Sequence, residues 1–177
     1  MQKLIQNVQS VISKSGGEWG IVFEDLQTGE TWENHAEQVF IPASVIKLPV
    51  MAAIFSKAHQ NELDLSDTIT LQQDDMVGGS GVLQHMTPGT EISLDDLITL
   101  MIIQSDNTAT NILIDLASTA SINQLMEKIG MHHSVINRKL MLSDTNIPPN
   151  QMTSGILPFS LKSFMQGKLS LKKLPHR

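Results

Sequence analysis

Leu4, Ile5, Val8, Val11 and Ile12 fall at helical spacing, and Gly16-Gly17 follow as stop signals, so the chain opens on a predicted helix. Trp19-Gly20-Ile21-Val22-Phe23-Glu24-Asp25 then reads as a strand. Gln27-Thr28-Gly29-Glu30 turns it into a second strand over Thr31-Trp32-Glu33, with a less regular return through Val39-Phe40-Ile41. From Pro42 the pattern becomes helical. Val45, Ile46, Leu48, Val50, Met51, Ala52, Ile54 and Phe55 are apolar nearly all round, which predicts a helix buried at the centre of the domain. Pro49 inside it is tolerable only within the first turn or two.

Asp64 to Gly89 reads as loop-rich, punctuated by Gly78-Gly79-Ser80-Gly81 and Pro88-Gly89. Ser93-Leu94-Asp95-Asp96 resembles a capping box that opens a helix through Ile103. A further helix is predicted from Thr108 to Leu116, and Ser121-Ile122-Asn123-Gln124 caps another that Gly130 ends. No internal repeat is visible, and no linker is long enough to separate two independent domains.

Composition narrows the function classes. The 177 residues are 41% apolar and 17% charged, a globular rather than a disordered balance. The absence of cysteine excludes disulfides, thiolate catalysis and Cys-based zinc sites. His132-His133 is an adjacent pair without matching carboxylates, so neither a metal nor a cofactor is expected, and the ten methionines read as core filler. No apolar run is long enough to span a bilayer. The segment Met1-Gln2-Lys3-Leu4-Ile5-Gln6 lacks the apolar stretch and cleavage site of a signal peptide, so the expected location of the chain as written is cytoplasmic. Residues 1–127 hold 4 Lys+Arg and 17 Asp+Glu, whereas residues 128–177 hold 8 Lys+Arg and only Asp144. That basic end has almost no aromatic residues with which to stack bases, so no nucleic-acid partner is expected and a solvated tail is the simpler reading.

Candidate chemistry lies in two short segments. Ser44-Val45-Ile46-Lys47 puts a hydroxyl and an amine at i and i+3, on one face of the predicted buried helix. The free amides and dipole at that helix start favour an oxyanion near Ser44. Ser105-Asp106-Asn107, 61 residues on, adds a second hydroxyl and a carboxamide at a break between two predicted helices, where side chains can point into a cleft. A second Ser-x-x-Lys at Ser170-Leu171-Lys172-Lys173 lies in the basic tail and carries no such context. Gly78-Gly79-Ser80-Gly81 lacks the Gly-Lys-Ser/Thr ending of a phosphate cradle and reads as a turn. Nucleophile, base and relay point to a serine acyl-transfer site.

The two segments, the N-terminal helix and hairpin, the Val77–Gly81 stretch and Asn111 four residues after Asn107 resemble the penicillin-recognising serine enzymes, most closely the class A β-lactamases. The resemblance covers about residues 15–155. It implies an α+β fold of the β-lactamase/transpeptidase type, with a mostly helical lobe and an incomplete antiparallel sheet lobe. Residues 1–42 would begin the sheet lobe, 43–150 form the helical lobe, and 151–177 form a basic C-terminal segment. It further implies Ser44 as nucleophile, Lys47 as its base and Ser105 as the proton relay to the leaving nitrogen. Asn107 would bind the substrate amide, Asp106 would tie down the inter-helix turn, and Asn111 would brace the loop of the deacylation machinery. The implied substrate is a small β-lactam or a peptidoglycan-like amide, and family members are usually exported.

The chain departs from the family pattern in three ways. The best match to the loop that carries the deacylating Glu is Asn137-Arg138-Lys139-Leu140-Met141, with Leu140 in place of the Glu and no Glu after Glu127. Asp144 is the one carboxylate nearby and reads as a loop brace. No Lys-Thr-Gly is present, and the stretches Leu157-Pro158-Phe159 and Gly167-Lys168-Leu169 suggest an ending about two-thirds of the way through the family fold. The leading expectation is therefore acylation at Ser44 with slow or absent deacylation. Two other readings stay open: an inactive binding or regulatory module, and a truncated fragment without activity. A homodimer covering an open sheet edge is a further expectation.

Overall fold

The computed structural model describes residues 1–142 and 146–156. Its first helix, α1, spans Gln2–Ser15 and buries none of its residues; Ile5, Val8 and Ile12 are half-covered while Leu4 and Val11 face solvent. Gly16 and Gly17 both take positive φ and end it, as the sequence predicts. Strands β1 (Ile21–Glu24) and β2 (Thr31–Asn34) form an antiparallel hairpin in which Phe23 pairs with Trp32, their rings stacked 5.8 Å apart. Asp25 Oδ1 accepts from the Gln27 and Thr28 amides and fixes the turn between them.

Strand β3 (Val39–Phe40) leads into a single 3-10 turn, Ala43–Ile46, which runs directly into α2 (Lys47–His59). Pro49 is the third residue of α2, within the first turn, as the sequence expects. The predicted burial of this segment holds on one side only: Ile46, Val50 and Ile54 are fully enclosed, whereas Val45 and Leu48, at the end that opens to the site, are exposed.

The stretch read as loop contains a short strand, β4 (Thr68–Thr70), which pairs antiparallel with β5 (Glu91–Ser93) just beyond it, in register at Ile69 and Ile92. Each strand is only three residues long with a single apolar position, too brief for an alternation signal. Helix α3 (Leu94–Ile103) starts at the predicted cap, with the Ser93 hydroxyl accepting from the Asp96 amide and donating to its carboxylate. Helix α4 (Asn107–Ala117) forms the spine of the domain, with nine of its eleven residues buried. Helix α5 (Thr119–Lys128) begins two residues before the predicted cap, because Ser118, at φ +67°, accepts from the Ser121 amide. A final strand, β6 (Met152–Thr153), pairs antiparallel with β3.

Helices α2, α3 and α5 pack around α4, and their apolar residues form one continuous core with Leu71, Leu83, Ile92, Ile136 and Met152. Both chemistry-bearing segments sit at the same end of this bundle: one precedes α2, the other precedes α4. Among the described residues no helix is long and apolar enough to cross a membrane.

Candidate active site

Ser44 and Lys47 are presented by the turn that feeds α2, one on the 3-10 segment and one at the first α-helical position. Ala43, just before Ser44, is held at φ +45°, a left-handed conformation that an alanine adopts only when its surroundings over-determine it. Ser105 closes the α3–α4 turn, also left-handed at φ +52°. Strain thus sits beside both hydroxyls.

Those hydroxyls meet. Ser44 Oγ lies 2.8 Å from Ser105 Oγ. Lys47 Nζ donates to Ser105 Oγ at 2.7 Å, to the Ser105 carbonyl at 2.7 Å, to Asn107 Oδ1 at 3.2 Å and to Ser44 Oγ at 3.3 Å. Four acceptors share at most three N–H groups, so the two shorter contacts dominate. Lys47 is only 3% exposed although Ser44 beside it faces solvent. Removal from water holds its ammonium below the ordinary lysine value of 10.5, and the Asp106 charge pulls in the opposite direction.

Asp106 is fully buried and makes the turn rigid. Its Oδ1 caps α4 by accepting from the Ala109 amide, and its Oδ2 accepts from the Val82 and Leu83 amides at 2.7 and 2.9 Å. The same carboxylate therefore fastens the 77–83 loop to the turn that carries Ser105. That loop approaches too closely for side chains at two points. A methyl group at Gly81, φ +112°, would fall 2.3 Å from the Asp106 carboxylate, and one at Gly79 would fall 2.6 Å from Asn107 Nδ2. Asn107 is oriented by three contacts: its amide donates to Ser80 O, its Nδ2 donates to Gly78 O, and its Oδ1 accepts from Lys47.

Asn111 is buried one turn further along α4. Its Nδ2 donates to Leu140 O and its Oδ1 accepts from Leu140 N, so the carboxamide clasps both backbone groups of that residue. Asn150 holds the neighbouring stretch in the same way, accepting from the Asn137 and Arg138 amides and donating to Arg138 O. Sequence reasoning passed over Asn150 and treated the glycines of 78–81 as a plain turn. Three glycines within four residues next to a strained turn were the available signal of close backbone approach. Asp144 and everything from residue 157, including the Ser170–Lys173 repeat of the first motif, lie outside the described residues. Among the described residues no group of three or more His, Asp or Glu side chains could hold a metal ion.

The arrangement can deprotonate a hydroxyl at a solvent-facing helix start, with a second hydroxyl in direct contact as a relay. A family model described as "Beta-lactamase enzyme family" matches residues 3–169. The chain belongs to that family. A β-lactamase from Rhodobacter capsulatus is 28% identical over 139 residues, which are 78% of this chain and 47% of that protein. Among solved structures, a β-lactamase from Sphaerobacter thermophilus DSM 20745 is 31% identical with a TM-score of 0.83, covering 94% of this chain and 63% of that one. PBP-A is 29% identical with a TM-score of 0.85, covering 96% of this chain and 63% of that one. The α+β fold is thus β-lactamase/transpeptidase-like, as the motifs imply. The chain spans about half the length of the curated β-lactamases it matches.

Proposed function

We propose that this chain is a serine acyl-transfer protein of the β-lactamase family that β-lactams acylate at Ser44 and that releases the acyl group slowly. The Ser44–Ser105–Lys47 contact network supports this reading above all else. Ser44 Oγ attacks the lactam carbonyl as its proton moves toward Lys47, directly or across Ser105. The C–N bond then breaks, and the same proton, returned through Ser105, reaches the departing ring nitrogen. The dipole of the helical segment that begins at Ala43 favours the negative charge developing on the carbonyl oxygen. Asn107 directs its amide toward the substrate side chain. Related amides of the peptidoglycan type would react by the same route.

Slow release follows from Leu140. Asn111 clasps the backbone of that residue, which the motif match aligns with the Glu that activates water in the family, and a leucine cannot act as a base. The test is intact-mass analysis after incubation with benzylpenicillin. The native chain should gain one ligand mass that persists for many minutes, and Ser44→Ala should gain none. Absence of an adduct at high ligand concentration overturns the proposal. The alternative is a module of the same fold that binds the ligand without covalent chemistry. Saturable binding to both the native chain and Ser44→Ala, with no mass gain, would select it.

A further inference from the structure

Met141 follows the residue clasped by Asn111, and it is 60% exposed with φ +61°. A bulky side chain in a left-handed conformation is an uncommon arrangement that local contacts must impose. Here the contact is with the glycine loop. The position that a methyl group on Gly79 would occupy is 2.6 Å from Asn107 Nδ2 and also 3.4 Å from Met141 Cε and 3.5 Å from Met141 Sδ. The thioether and the carboxamide therefore border the same space beside Gly79. Asn107 uses one Nδ2 hydrogen on Gly78 O and its Oδ1 on Lys47, which leaves a second N–H for an incoming carbonyl.

We propose that Met141 forms the apolar wall of the cleft beside Asn107 and selects β-lactams whose acyl side chain ends in an aromatic group. This inference rests on the acylation reading above. Because Asn107 Nδ2 and the methionine thioether border the same point beside Gly79, a ligand amide that accepts from Asn107 has the thioether within reach of its substituent, while Gln84 is held on the Gly79 and Gly81 carbonyls. A thioether is polarisable and makes favourable contact with aromatic rings, so the surface offered is suited to a phenyl group and poorly suited to a charged one.

The experiment compares acylation rates of the full-length chain with benzylpenicillin and with 6-aminopenicillanic acid, which has no acyl side chain. In Met141→Ala the ratio of the two rates should fall about fivefold, the scale of one lost thioether–aromatic contact. Met141→Leu, which keeps the apolar bulk but not the sulfur, should restore only part of it. A purely structural role would lower both rates together and leave the ratio unchanged, and that result overturns the proposal. An unaltered ratio with unaltered rates does the same. If neither compound acylates Ser44 in the native chain, the acylation reading fails and takes this inference with it.

Discussion

Lys47 Nζ is closer to Ser105 Oγ, at 2.7 Å, than to Ser44 Oγ, at 3.3 Å, while the two hydroxyls are 2.8 Å apart. The shortest path for the nucleophile's proton therefore runs through the second serine. Ser105→Ala should slow acylation by about 100-fold or more, the ordinary contribution of a positioned proton-transfer group. Stopped-flow quenching with a chromogenic β-lactam would measure it. A loss under about threefold would mean that the proton travels directly to the amine.

Because burial lowers the proton affinity of Lys47, acylation should rise with pH through a midpoint below 10.5, and Lys47→Ala should lose that rising limb. Stability should respond with the same sign. The unfolded chain keeps the Lys47 proton up to 10.5 whereas the folded chain gives it up earlier. Between those two values the unfolded state binds more protons, so a rise in pH favours the folded state there. Urea midpoints at stepped pH, native against Lys47→Met, isolate this contribution from that of the other lysines.

Asp106 satisfies three backbone amides from two segments, so Asp106→Ala should lower unfolding free energy by about 3 kcal/mol or more, the sum expected when buried donors lose a charged acceptor. Gly81→Ala attacks the same junction sterically and should be comparably damaging. Chemical denaturation reads both. A change below about 1 kcal/mol in either variant would show that the 77–83 loop is not fastened as described.

Leu140→Glu should shorten the life of the Ser44 adduct, because the Asn111 clasp is made to the backbone and survives the change of side chain. Time-resolved mass spectrometry after rapid removal of free ligand would show it. An unchanged lifetime would indicate that a carboxylate at 140 does not reach the ester.

Much of this site was legible because its chemistry is local. Ser44 and Lys47 are three residues apart, and Ser105 and Asn107 are adjacent to a helix cap that Asp106 declares by type. The apolar run from Val45 to Phe55 gave away the burial of α2, which in turn marks Lys47 as an unusual lysine. The contacts between loops were not legible. Nothing in Val82 or Leu83 shows that their amides seek Asp106, and nothing in Asn150 shows that it binds residues 137 and 138. Such bonds join backbone groups, which are common to every residue type. The β4–β5 pair escaped for a related reason: two three-residue strands are held by their register with each other and not by a pattern of their own.

None of the α1 side chains is buried, whereas every group around Ser44 is fixed to α2, α3 or α4. Detaching α1 gives up less apolar burial than losing α2, α3 or α4 would. The Gly16-Gly17 hinge is accordingly where a protease could nick the chain without silencing it. The same segment is also the natural place to attach an affinity handle or fluorophore while acyl transfer is being watched.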